Sequence, residues 1–208
     1  MGIYLVSVGA EEWFGEGEGD GEDDEEGRGR VASALNEELR RRGLPAYESV
    51  PAATPAHAPL VRGAGLAFEE KLVPPMDGFV RLCETHLTRE ELETLCGWTV
   101  LVPLSLEEDI RLEGVGSAYT EETMVAGAPQ VLALAERLAA AVALPTAEVP
   151  ATCDNLDLTL WFLEGAAKTL AATRPGPWAE DLDMAFYVAL YLRAAQHSIR
   201  RGCPIVYV

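Results

Sequence analysis

The segment from Trp178 to Val208 constrains the fold more than any other stretch. It opens on an acidic start, Glu180-Asp181-Leu182-Asp183. Nine apolar residues follow without a break, Met184 to Leu192. A polar and basic run, Arg193 to Arg201, leads to Gly202 and to a terminal apolar stretch, Pro204 to Val208. Acids before an apolar run and bases after it complement a helix dipole at both ends, so the segment predicts a helix over 181–201. A helix that is apolar on every face has no side to give to water, so its first half belongs in the middle of a domain. The last five residues then read as a strand.

The chain has 208 residues, the length of one domain, and 49% of them are hydrophobic. A chain this long buries about 70 to 75% of its unfolded surface and needs no metal or disulfide staple. The sequence is therefore expected to form a single globular domain over 1–208. No run reaches the ~20 apolar residues that a membrane-spanning helix requires. The first residues lack the basic start and small-residue cleavage site of a secretory signal, so a cytoplasmic location is expected. The four cysteines, Cys83, Cys96, Cys153 and Cys203, form no CxxC pair and read as reduced, buried thiols.

Net charge is −18. Ten of the 34 acids fall in residues 11–26, which hold no base; the rest of the chain still carries 24 acids against 16 bases. Such a chain is repelled by phosphate backbones, which argues against nucleic acid as a partner and is compatible with a basic protein. Residues 15–29 are almost wholly Gly, Asp and Glu and read as an acidic surface loop. Heavy use of Ala, Arg, Gly and Glu is the habit of GC-rich bacterial genomes.

Strands are expected near 3–8, 45–50, 98–104 and 204–208, with five to six helices between them. Val31, Leu35 and Leu39 recur at helical spacing before Gly43. Thr88-Arg89-Glu90-Glu91 spells a capping box. Residues 156–172 predict one continuous helix, and 129–144 another. Strands at the start, middle and end of a largely helical chain give an α/β or α+β domain: a modest mixed sheet covered by helices, with the C-terminal helix buried. The terminal strand is expected beside the first or the middle strand. No GxGxxG, Walker loop or GxSxG accompanies the first strand, so no dinucleotide, nucleotide or hydrolase motif is present.

Candidate chemistry is sparse. Cys153 stands in Ala151-Thr152-Cys153-Asp154-Asn155, expected at the first turn of a helix, where the dipole lowers a thiol pKa. His197 as base and Asn155 or Asp154 as orienter would complete a cysteine–histidine–amide set; the plain alternative is a small buried hydrophobe at a helix start. Tyr187 and Tyr191, at i and i+4, with Arg193 and His197 beyond them, would line a small-molecule pocket, or else be core residues whose hydroxyls reach the edge. Asp20, Asp23 and Asp24 are hard oxygen ligands for calcium, but their spacing misses an EF-hand loop. Cys83, His86 and Cys96 lack a fourth ligand at zinc spacing, so no metal and no cofactor is expected. Two functional readings follow. The first is a cytosolic, acidic, non-catalytic protein acting by protein–protein contact, an immunity-type inhibitor or an accessory subunit for a basic partner. The second is a small-molecule-binding protein or cysteine hydrolase, with its site between the Cys153 helix and the C-terminal helix.

Overall fold

Ile205–Tyr207, the last strand of the chain, lies inside the sheet rather than at its edge. The computed structural model describes residues 2–15, 25–48, 65–115 and 122–208. In chain order these form β1 (Tyr4–Ser7), α1 (Ala10–Phe14), α2 (Glu25–Arg41), β2 (Glu69–Lys71), α3 (Asp77–His86), α4 (Arg89–Cys96), β3 (Val100–Val102), β4 (Ile110–Leu112), β5 (Thr123–Gly127), α5 (Ala128–Ala141), α6 (Asp157–Leu163), α7 (Ala166–Thr173), α8 (Pro177–Glu180), α9 (Leu182–Arg201) and β6 (Ile205–Tyr207). The chain is a mixed α/β single domain.

The strands run in the order β2-β1-β6-β3-β5-β4. β6 pairs antiparallel with β1 (Val6 opposite Val206) and with β3 (Leu101 opposite Ile205). β3 and β5 are parallel, so β1, β3 and β5 all point the same way. The period of two divides the strands cleanly. Leu5, Leu101, Ala126 and Ile205 face a core shared with α3, α5 and α9. Val100, Val102, Val125 and Val206 face the opposite core, with Trp13 of α1 and Val31, Leu35 and Leu39 of α2. Helices thus cover both faces, and the apolar run Val100–Val102 is buried on both, as a near-continuous run in a covered strand should be.

α9 is the central helix. Asp181 caps its start by accepting the Met184 amide at 2.9 Å. Gly202 ends it in the left-handed region, φ 65°, where a side chain is disfavoured. All nine residues of the apolar run are buried. They meet α3, α5, α6, α8 and β3. The capping box at Thr88 is formed in both directions: its hydroxyl accepts the Glu91 amide and its own amide donates to the Glu91 carboxylate.

Several elements differ from expectation. Pro45–Glu48 form no strand, while residues 49 and 50 lie outside the described residues. The Asn36 side-chain amide donates to the Tyr47 carbonyl and accepts the Tyr47 N–H, so one side chain replaces a ladder partner. β2 and β5 have three and five residues and little apolar pattern of their own to announce them. α2 starts at Glu25, inside the expected 15–29 loop, and its buried stripe of Val31, Leu35 and Leu39 packs against the sheet. The single helix expected over 156–172 is broken into α6 and α7 at Gly165, φ 100°.

Two substitutions test this account. Leu190→Asp puts an unpaired carboxylate in a fully buried position and is expected to cost more than about 4 kcal/mol, which abolishes the cooperative unfolding transition. Thr88→Ala removes one cap and is expected to cost about 1 kcal/mol in denaturant titration, with the fold intact.

Candidate functional site

Glu70 sits in the middle of β2 and is fully buried. Its strand is an edge of the sheet, and the segment before α6 lies along that edge. The Glu69 amide donates to the Cys153 carbonyl at 2.6 Å, the Leu156 amide donates to the Glu69 carbonyl at 3.0 Å, and Phe68 bridges Cys153 in parallel. Leu156, with φ 58°, then turns the chain into α6, which has no side-chain cap of its own. Glu70 supplies one from the sheet. Its carboxylate accepts the Leu158 amide at 2.7 Å, the Thr159 amide at 2.8 Å and the Thr159 hydroxyl at 2.6 Å.

Three donors favour the charged form, yet burial outweighs them and pushes the Glu70 carboxyl up to about 7. The geometry accommodates the proton. The Thr159 hydroxyl also lies 3.3 Å from the Lys71 carbonyl, so it can turn to donate there and accept from a protonated Glu70.

Cys153 is not in a helical first turn. It lies four residues before α6, in the extended segment over β2, and is 2% exposed. Burial and the neighbouring Glu70 carboxyl push its thiol well above the ordinary range, and Arg193 opposes this only in part. A thiol held in its protonated form is a poor nucleophile. The charged groups acting on it are Glu70, Arg193 and Asp157, and Phe68, which bridges Cys153, packs on the His197 ring. Asn155 is exposed.

His197 is buried on α9 against Phe68, ring centroids 5.6 Å apart. Burial first, then Arg200 and Arg201, lower its pKa to about 4 against the opposing pull of Asp154, so the ring is neutral at pH 7. Arg193 is fully engaged with uncharged acceptors. It donates to the carbonyls of Thr146, Val149 and Pro150 and to the Gln196 side chain, fastening the 144–150 turn to α9. Tyr187 and Tyr191 are core residues. The Tyr187 hydroxyl donates to the Pro74 carbonyl at 2.6 Å, the Tyr191 hydroxyl meets that of Tyr207 at 3.1 Å, and the Phe79 ring stacks on Tyr191. Both hydroxyls are spent inside the protein.

Cys83 is buried and Cys96 packs against the same core, whereas His86 is exposed, so the three do not converge. Among the described residues no group of three His, Cys, Asp or Glu could hold a metal ion. Asp20, Asp23 and Asp24 lie outside the described residues. No helix among the described residues is long and apolar enough to cross a membrane. Comparison with protein-family models, with curated proteins and with solved structures finds no match to this chain.

Glu70 and Arg193 both act on the Cys153 thiol, Asn155 is exposed on the same segment two residues later, and Tyr187 and Tyr191 are bonded to Pro74 and Tyr207. Glu70 escaped sequence reasoning because Glu69-Glu70-Lys71 reads as solvated surface; only its place opposite Leu5 in the register turns it inward.

The pH dependence of stability tests the Glu70 site. Its folded pKa lies above the unfolded value near 4.5, so its contribution is complete below pH 4.5 and is lost as pH rises through about 7. Relative to wild type, Glu70→Gln is expected to remove a decline of about 3 kcal/mol between pH 4.5 and 7.5, read as the difference between two urea-derived stability profiles. Alkylation gives a second check: the Cys153 thiol is expected to react more slowly at neutral pH than a free cysteine peptide, by mass spectrometry of the labelled chain.

Proposed function

We propose that this protein is a cytosolic, acidic, non-catalytic binding protein that acts by association with a basic protein, as an immunity-type inhibitor or accessory subunit does. The observation that carries the reading is a division of labour among the polar groups. The residues suited to chemistry, Cys153, Arg193, Tyr187 and Tyr191, serve as internal packing and fasteners. The excess acids point outward. One acidic surface joins the α4 helix to the turn that follows β3. The Thr94 hydroxyl donates to Asp109 at 2.9 Å and holds that turn against α4, which brings the exposed Glu107 and Glu108 near Glu90 and Glu93. Arg89 pairs with Glu93 and Arg137 with Glu91, Arg42 reaches the Glu108 carbonyl and Arg111 acts on Asp109, so the exposed acids here are only partly balanced by bases.

Exposed charge of one sign gives speed of encounter more than depth of affinity. The binding step is therefore expected to be salt-sensitive in its on-rate. The test immobilises the full-length protein and captures partners from its own host at low and high salt. The expected result is a basic protein retained at low salt, whose association slows steeply as salt rises. The double substitution Glu107→Lys, Glu108→Lys is expected to slow association about tenfold with little change in dissociation or melting temperature. Background proteins alone at low salt, or an on-rate indifferent to salt and to charge reversal, would overturn the reading.

A further inference from the structure

Buried polar groups in this protein are nearly all satisfied. Glu70, Thr123, Thr159, Ser198, Tyr187 and Tyr191 each have named partners. Trp13, His197 and Arg201 are different. Among the described residues, the buried atoms Trp13 Nε1, His197 Nε2 and Arg201 Nε make no hydrogen bond. Each buried polar atom left so costs about 1–3 kcal/mol, so such groups call for a physical reason.

Trp13 belongs to the core on the α2 face of the sheet and His197 to the core on the α9 face, and both lie toward the end where β1 finishes. α1 begins just after β1 finishes, and α9 finishes just before β6 begins. The Val8 amide donates to the Pro204 carbonyl, which joins these two strand ends. His197 and Arg201 are one turn apart on α9, and Phe68, which packs on His197, is bound through its backbone to Ser7 at the end of β1. Trp13 meets Tyr47 edge-on, ring centroids 6.3 Å apart, and the Tyr47 hydroxyl donates to the carbonyl of Gly202, the neighbour of Arg201. Trp13 and His197 are almost wholly buried; Arg201 is partly exposed and gives the group its contact with solvent.

The chemistry of the three is one-sided. An indole N–H and a guanidinium Nε–H only donate, and a neutral imidazole can donate from Nε2. Arg200 and Arg201 lie close enough to His197 to act on it, as does Asp154, so two bases and one acid neighbour the ring in a protein whose net charge is −18. Asp154 itself accepts the Gly65 amide at 3.0 Å. The position also fits the general rule for open α/β sheets: β1, β3 and β5 point the same way, the helices that follow β1 and β5 cover opposite faces, and ligands bind beyond the carboxyl ends of such strands.

We propose that the end of the sheet where β1 finishes and β6 begins is a binding site for an oxyanion, a phosphate or carboxylate group, held by the Trp13 indole, the His197 imidazole and the Arg201 guanidinium. The site is independent of the acidic surface, so either proposal can fail without the other. An oxyanion offers several acceptor lone pairs at once, and its bond to Arg201 is charge-assisted.

The test uses the full-length chain labelled with nitrogen-15. The four indole N–H signals are followed during titration with inorganic phosphate, with acetate, and with sodium chloride at matched ionic strength. The Trp13 signal is assigned by Trp13→Phe. The expected result is a saturable shift of that signal with phosphate or acetate and none with chloride, together with a rise in melting temperature. Whichever anion saturates first identifies the oxyanion class. In Arg201→Met, which alters a partly exposed side chain, the apparent affinity is expected to fall about tenfold while the unliganded spectrum stays folded. If Trp13→Phe does not fold, Arg201→Met still decides the matter, because a specific site must respond to it. Shifts that follow ionic strength alone, or saturation unchanged in both Arg201→Met and His197→Phe, would overturn the proposal.

Discussion

The burial of Met184–Leu192 is the constraint on which the rest of the structure depends. A helix with no polar side must be enclosed on all sides, and one sheet face cannot do that alone. α3, α5, α6 and α8 therefore gather around α9 while β3 closes it from the sheet side. Because Gly202 ends the helix and β6 follows three residues later, placing α9 at the centre also places the last strand there. β6 then joins β1 to β3, and every long-range pairing between the two halves of the sheet passes through it. The aromatic rings of Phe79, Tyr187, Tyr191, Trp98 and Tyr207 pack in succession across this core, which lets large side chains fill the space with few gaps.

A second constraint acts at the edge. β2 is short, polar and exposed to pairing by any other strand unless something covers it. The segment around Cys153 does so through backbone bonds, and Glu70 anchors that segment by capping α6. An acid is costly to bury, but here three donors offset the loss of water, and its partial protonation near neutral pH reduces the charge. This places a titratable group within the scaffold, where its effect is on stability. Cys153, Arg193 and Glu70 together look like chemistry in outline and act as carpentry in geometry. Trp13, His197 and Arg201 are the reverse: scattered through the sequence at 13, 197 and 201, they carry no motif, yet among the described residues each holds a buried donor atom without a hydrogen bond.

What could be read in advance followed from local rules. Asp181, the apolar run and Gly202 marked α9 within one residue of its observed ends, and Thr88 with Glu91 marked α4, because caps and periodicity act over a single turn. Val100–Val102 was legible as a doubly covered strand because its apolar run left no face for water. Glu69–Lys71 was not, since its residues satisfy no strand pattern and are held extended by pairing with Tyr4, Leu5 and Val6, some sixty residues earlier. Pro45–Glu48 failed in the opposite direction: a fair strand sequence lost its ladder to the side chain of Asn36. The left-handed turn at Leu156 was equally hidden, as it leads into the first turn of α6, which docks under Glu70.

The sequence by itself determined the class of the protein. Its length, its apolar periodicity and its central helix required a single covered α/β domain, because those properties depend on how much apolar surface each segment must hide. Its charge set the sign of the surface for the same additive reason. Tertiary structure alone decided the strand order, the inward turn of Glu70, the buried setting of Cys153 and the burial of Trp13 and His197. Those depend on which residues distant in the chain become neighbours, and a hydrogen bond or a desolvated charge acts only over the few ångströms that folding creates.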